Sequence, residues 1–163
     1  MLNQLSNFLL NGYAHFNESN LLDLSKFNIT NVEINDDLDM NFSEDEQLFI
    51  DKYIEYVSKK YVEPIYKNYS VTYCAVWDGV DLGSTEWHND KIEGFDFSVL
   101  YYYDNTSKEI GGQIEFKFPD GQTTIYPKCG DLIFINQDKK FSHKATRSNS
   151  ARRVASIEYK IYE

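Results

Sequence analysis

The sequence is short of the residues from which sites are most often built. Its 163 residues hold two cysteines and three histidines. Only three arginines are present, Arg147, Arg152 and Arg153. Cys74 and Cys129 lie far apart and form no C-x-x-C pair. They read as two buried free thiols of a reducing cytoplasm, with a single disulfide as the alternative. No apolar run reaches the roughly 18 residues that a membrane-spanning helix needs. The opening segment MLNQLSNFLLNGY lacks the basic flank and small-residue cleavage site of a secretory signal, so the expected location is the cytoplasm. Basic charge is also in deficit: 16 Lys and Arg stand against 26 Asp and Glu, a net charge of −10. A surface this acidic repels phosphate backbones and anionic lipid, which excludes nucleic acid and membrane as general partners and leaves room only for a local basic patch. There is no internal repeat, no low-complexity tract and no Pro/Gly/Ser-rich linker.

Aromatics, in contrast, are plentiful, with 13 Tyr and 11 Phe. These residues favour half-buried strands, so a sheet-rich single domain is expected over residues 1–163. The first 68 residues read mostly as helical support. Leu2, Leu5, Phe8 and Leu9 have helical spacing, stopped by Asn11-Gly12. Leu21, Leu22, Leu24 and Phe27 suggest a second short helix, and Val32 to Ile34 an edge strand. The acidic run Glu33 to Glu46 reads as a solvated loop, or as a docking site for a basic partner. The clearest helix opens on the S-x-x-E pair Ser43 and Glu46. Ile50, Tyr53, Ile54, Val57 and Tyr61 follow on one face, Lys59 and Lys60 suit its C-terminal dipole, and Pro64 ends it.

From Tyr69 the period shortens to two. Strands are expected at 69–77, 97–103, 113–118, 123–126, 131–136 and 152–162, with Asp78-Gly79 and Pro119-Asp120-Gly121 as turns. Many short strands behind a helical front indicate a double-stranded β-helix, or jelly-roll, core over 69–163.

The candidate chemistry gathers at the histidines. His88-Asn89-Asp90 reads His-x-Asp. In extended chain, residues i and i+2 point the same way, so one imidazole and one carboxylate converge. A second histidine from a distant strand would complete a 2-His-1-carboxylate set with three open positions on Fe(II), and His143 is the candidate. The plainer reading of the pair alone is a His beside a surface Asp. In the last strand Arg153 shares a face with Ala155, Ile157, Tyr159 and Ile161, and Arg152 shares the other with Val154, Ser156, Glu158 and Lys160. The first face is apolar and is expected to point into the barrel. A guanidinium there needs an anion, either a buried acid or a ligand carboxylate bound bidentately. His15 reads as a surface or satisfied histidine.

The run from His88 onward resembles the iron- and 2-oxoglutarate-dependent dioxygenases, and among them the prolyl-hydroxylase group. The pieces that match are W-H-N-D, F-S-V-L-Y-Y-Y-D-N, G-G-Q-I-E-F-K-F-P-D-G, I-Y-P-K-C-G-D-L-I-F-I-N, His143 and R-R-V-A-S-I-E-Y. The resemblance implies His88, Asp90 and His143 as iron ligands, and Arg153 as anchor of the distal carboxylate of 2-oxoglutarate. Arg152 is the alternative anchor, because some relatives have a spacing from His143 one residue shorter. It further implies Tyr102 as support for the same carboxylate and Tyr159 as an inward aromatic near the co-substrate. Trp77 falls near an aromatic position of the family or is a core residue, and Gly111-Gly112 serves a tight backbone turn. The implied chemistry uses Fe(II), 2-oxoglutarate and O₂, with ascorbate as a further candidate. Asp90 argues for hydroxylation over halogenation. Three readings follow: a hydroxylase of an amino-acid residue in a protein or peptide, proline foremost; a hydroxylase of a free amino acid or small metabolite; and a jelly-roll module that binds metal or a partner without turnover.

Overall fold

The computed structural model describes residues 12–18, 44–78, 86–90, 94–137, 142–149 and 153–162. The two short helices and the edge strand expected before residue 35, together with Ser43 and most of the acidic run, lie outside these residues. The described elements are β1 (Tyr13–Asn17), α1 (Glu44–Val57) with a π-helical turn Ser58–Val62, β2 (Tyr69–Asp78), β3 (Phe97–Tyr102), β4 (Ile114–Phe118), β5 (Gly121–Ile125), β6 (Asp131–Asn136), β7 (Ser142–Ala145) and β8 (Arg153–Ile161). They build two antiparallel sheets, a five-stranded one in the order β1-β6-β3-β8-β2 and a three-stranded one in the order β5-β4-β7. None of the described helices is long and apolar enough to cross a membrane.

The chain stacks in three layers. Ile50, Tyr53 and Val57 of α1 pack with Tyr61 and Val62 onto Phe97, Val99, Tyr101, Leu132, Phe134, Ala155, Ile157 and Tyr159 of the large sheet. The opposite face of that sheet gives Tyr102, Ile133, Ile135 and Val154 to a second core, completed by Ile114 and Phe116 of the small sheet. Alternation explains the division: consecutive residues of β6 go alternately to the helix and to the small sheet. A strand covered on both sides is apolar through its middle: all six residues of β6 are buried, and the four between Asp131 and Asn136 are apolar.

The helical stripe read from sequence is the one that packs. Ile50, Tyr53, Val57 and Tyr61 are buried, and Ile54 is partly buried against the same core. The chain leaves the helix just before Pro64, where the Glu63 N–H donates to the Ser58 carbonyl at 2.9 Å, the longer span of a π turn. One strand was not expected, and another was expected only as an unbounded strand under His143. β1 follows Gly12 (φ 85°), whose left-handed conformation suits glycine, and then pairs β6 at the sheet edge. β7 pairs β4 and carries His143.

Phe134 should be a keystone of the helix-facing core. Its ring lies 5.3 Å from both Phe16 and Tyr61, joining β1, the helix end and β6. We expect Phe134→Ala to lower unfolding free energy by about 3–5 kcal/mol in urea titrations. Leu48→Ala, at an exposed helix position, should stay within about 0.5 kcal/mol. Equal stability of the two variants would refute this layer arrangement.

Candidate metal centre

One pair of backbone hydrogen bonds builds the site. The His88 N–H donates to the His143 carbonyl at 3.0 Å, and the His143 N–H donates back to the His88 carbonyl at 2.9 Å. The segment 86–90 is thereby laid beside β7 by a single antiparallel bridge. Residues paired in this way place their side chains on one face, and the two imidazole centroids are 4.4 Å apart. That face is the interior one, because His143 is also the register partner of Phe116, a member of the inter-sheet core.

Asp90, two residues past His88, completes the cluster. Its Oδ1 lies 3.2 Å from His88 Nε2 and its Oδ2 lies 3.3 Å from His143 Nε2. The three donor atoms all fall within 4.8 Å of one another. His143 is buried, whereas the His88 side chain is 38% exposed, so the cluster opens on the His88 side. His88 Nδ1 sits 2.6 Å from the Glu86 carbonyl and must donate to it, so Nε2 is the nitrogen that faces the cluster. Burial by itself pushes the Asp90 carboxyl up. The hydrogen bonds and charges of His143 and His88 outweigh burial and hold it well below the ordinary carboxylate range. Two imidazole nitrogens and one ionised carboxylate on a single face are a donor set that fits a divalent first-row metal with open positions.

Tyr102 lies in the same inter-sheet layer, buried among Ile133, Phe116 and Val154. Arg153 and Tyr159 do not. The expectation that the Ala155, Ile157 and Tyr159 face points into the barrel is corrected: those residues pack against the helical layer. The apolar row was a sound sign of burial, but the outer face of this sheet is buried too. Tyr159 stacks on Phe97 at 4.8 Å, and its hydroxyl shares a 3.0 Å hydrogen bond with Ser58 Oγ. The Arg153 side chain meets Asp104, with Nε to Oδ2 at 3.0 Å and Nη2 to Oδ1 at 2.9 Å, while its backbone N–H donates to the same carboxylate at 2.8 Å. Of the two anions expected for an arginine on this face, the protein's own acid is the one present. Arg152 lies outside the described residues.

The remaining residues fall as follows. His15 is satisfied by the buried Asp131 at 2.8 Å. Gly111 has φ 82°, and a Cβ there would lie 2.4 Å from the Arg147 carbonyl oxygen, which excludes any side chain. Trp77, on β2, pairs through its backbone with Val154 of β8. Cys129 is a free thiol, but an exposed one and not the buried thiol expected. Two residues beside the cluster carried no expectation. Trp87, next to His88, lies under Lys144 Nζ at 4.8 Å and forms a small basic-aromatic patch with Lys117. Gln137 bonds Asp90 through both ends of its amide.

No protein-family model matches the sequence, and no curated protein sequence does. Solved structures do match. A prolyl hydroxylase from Trichoplax adhaerens, in complex with a hypoxia inducible factor oxygen degradation domain peptide fragment, superposes with a TM-score of 0.70 at 17% identity, covering 97% of this chain and 87% of that one. An oxidoreductase of the 2OG-Fe(II) oxygenase family from Burkholderia pseudomallei gives 0.71 at 10% identity, covering 99% and 91%. The non-heme alpha ketoglutarate dependent epimerase SnoN from nogalamycin biosynthesis gives 0.65 at 14% identity, covering 98% and 82%. The chain thus has the fold of the 2-oxoglutarate and Fe(II) oxygenases, prolyl hydroxylases among them.

Proposed function

We propose that the chain is a non-haem Fe(II)- and 2-oxoglutarate-dependent oxygenase that hydroxylates an amino-acid residue, proline foremost, in a protein or peptide. The observation that carries this is the convergence of His88, Asp90 and His143 within 4.8 Å, on a fold shared with such oxygenases. In this reading the two sheets are the walls of a double-stranded β-helix. The peptide preference rests on likeness to a hydroxylase seen with a peptide. Likeness to SnoN favours a second reading, a small metabolite as substrate.

The chain's residues would divide the work. His88 and His143 would present Nε2 to the metal, and Asp90 would add an ionised oxygen. Bound Fe(II) would let O₂ oxidise 2-oxoglutarate to succinate and CO₂ while a substrate C–H becomes C–OH. Phe116, Ile133, Ile135 and Val154 would wall the interior and keep water from the reaction. Tyr102, buried on that same face, would support a co-substrate carboxylate. The ionic anchor of that carboxylate would be Arg152 and not Arg153. By sequence Arg152 lies two residues before Val154, an interior residue, while Arg153 already holds Asp104.

Succinate formation from 2-oxoglutarate, with added Fe(II) and a panel of proline peptides and free amino acids, tests the reading. His88→Ala, Asp90→Ala and His143→Ala should each bring it to background. Turnover retained in these variants would sink the assignment, and the panel separates peptide from metabolite hydroxylation.

The two arginines should part in the same assay. We expect Arg152→Ala to raise the apparent KM for 2-oxoglutarate thirtyfold or more, the effect of a lost buried charge pair of about 2–5 kcal/mol. Arg153→Ala should leave that KM unchanged and lower stability by about 1 kcal/mol or less, because its ion pair is partly exposed. The reverse pattern would return the anchor to Arg153.

A further inference from the structure

Gln137 is fully buried, at 0% exposure, immediately after β6. Its side-chain amide grips Asp90 twice. Nε2 donates to Asp90 Oδ2 at 3.0 Å, and Oε1 accepts the Asp90 backbone N–H at 3.2 Å. The Gln137 backbone is itself fixed, its N–H donating to the Asp96 carbonyl at 2.8 Å. Asp96 in turn accepts the Ile161 N–H through Oδ2 at 2.7 Å. The grip is therefore mounted on the ends of two strands of the large sheet.

A buried amide needs partners, and both ends of this one find them on a single residue 47 positions away, so the amide fixes that residue's backbone and carboxylate together. We propose that Gln137 is a positioning residue that makes Asp90 a one-oxygen ligand. The proposal rests on the metal reading above. A carboxylate on a metal can bind through one oxygen or two. Both carboxylate oxygens face an imidazole, Oδ1 at 3.2 Å from His88 Nε2 and Oδ2 at 3.3 Å from His143 Nε2, but Oδ2 alone carries the charge-assisted hydrogen bond from Gln137, so Oδ1 is the freer donor for a metal. The distinction matters for the open positions. Two imidazoles and one carboxylate oxygen leave three of six octahedral positions, enough for a two-point keto acid and one further ligand. Two-oxygen binding by Asp90 would leave only two. The backbone half of the grip fixes the direction from which Oδ1 approaches, since the Asp90 N–H and its carboxylate are held by one rigid group.

The test uses purified full-length wild-type protein and two variants. Gln137→Met keeps approximate size and removes both hydrogen bonds. Gln137→Glu keeps the acceptor for the Asp90 N–H and lacks the amide donor. Three quantities are measured without turnover: thermal midpoint without metal, affinity for Co(II) alone by calorimetric titration, and the charge-transfer absorption of the anaerobic Fe(II) complex with 2-oxoglutarate at saturating metal. We expect Co(II) affinity to fall 10- to 100-fold in both variants, the usual effect of removing a partner of a ligating side chain. The charge-transfer absorption should also weaken at metal saturation, an effect that loss of general stability would not produce. If one variant fails to fold, the other decides. If both fail, protection of the Gln137 side-chain amide protons from exchange in wild-type protein, increased on adding Zn(II), is required. Variants that fold and match wild type in affinity and absorption would overturn the inference, as would unprotected amide protons. Wild-type protein that binds neither Co(II) nor Fe(II) would instead remove the oxygenase reading itself.

Discussion

Two hydrogen bonds between His88 and His143 set the geometry on which the rest of the site depends. They place two imidazoles from distant parts of the chain on the same face, and Asp90 then follows from the alternation of extended chain. The bridge belongs to the small sheet, through β7 and β4. Gln137 comes from the end of β6, in the large sheet. The cluster therefore sits where the two sheets are stitched together: the main-chain bridge sets His88 and His143 side by side, and the Gln137 amide holds Asp90.

The second governing constraint is that the large sheet is covered on both faces. The row Tyr53, Val57 and Tyr61 closes one side, and Ile114 with Phe116 closes the other. This is why Ala155, Ile157 and Tyr159 form the more apolar row of β8 without facing the site. A face turned to a helix can be uniformly greasy. A face turned to a reaction cavity must also supply polar groups, and Ser98 and Ser156, both buried, lie on that side of β3 and β8. Reading the last strand by apolar content alone puts Arg153 inward. Reading it with a helical layer outside puts Arg153 outward, against Asp104.

Much was legible in the residues. The α1 stripe, the strands 69–78 and 131–136 and the hairpin around Pro119 are carried by period and turn chemistry, and the structure has them within a residue or two. His88 and Asp90 were legible as a pair, since their relation is local. β7 was not, because Ser-His-Lys-Ala has no apolar alternation and is a strand only by virtue of pairing with β4. Gln137 was not legible either. A glutamine after a strand reads as a solvated loop residue, and nothing in the chain order announces a partner 47 positions earlier.

The bridge between the histidines has a topological consequence. An ion held by both imidazoles would be a cross-link between positions 88 and 143, closing a loop of 55 residues (143 − 88). β3 to β6 and the segments between them lie within that loop. In chain-entropy terms such a link constrains the unfolded ensemble much as a disulfide of the same span does, provided the ion stays bound there. A protein with two cysteines and no C-x-x-C pair would then draw from its metal a stapling effect that its thiols do not offer.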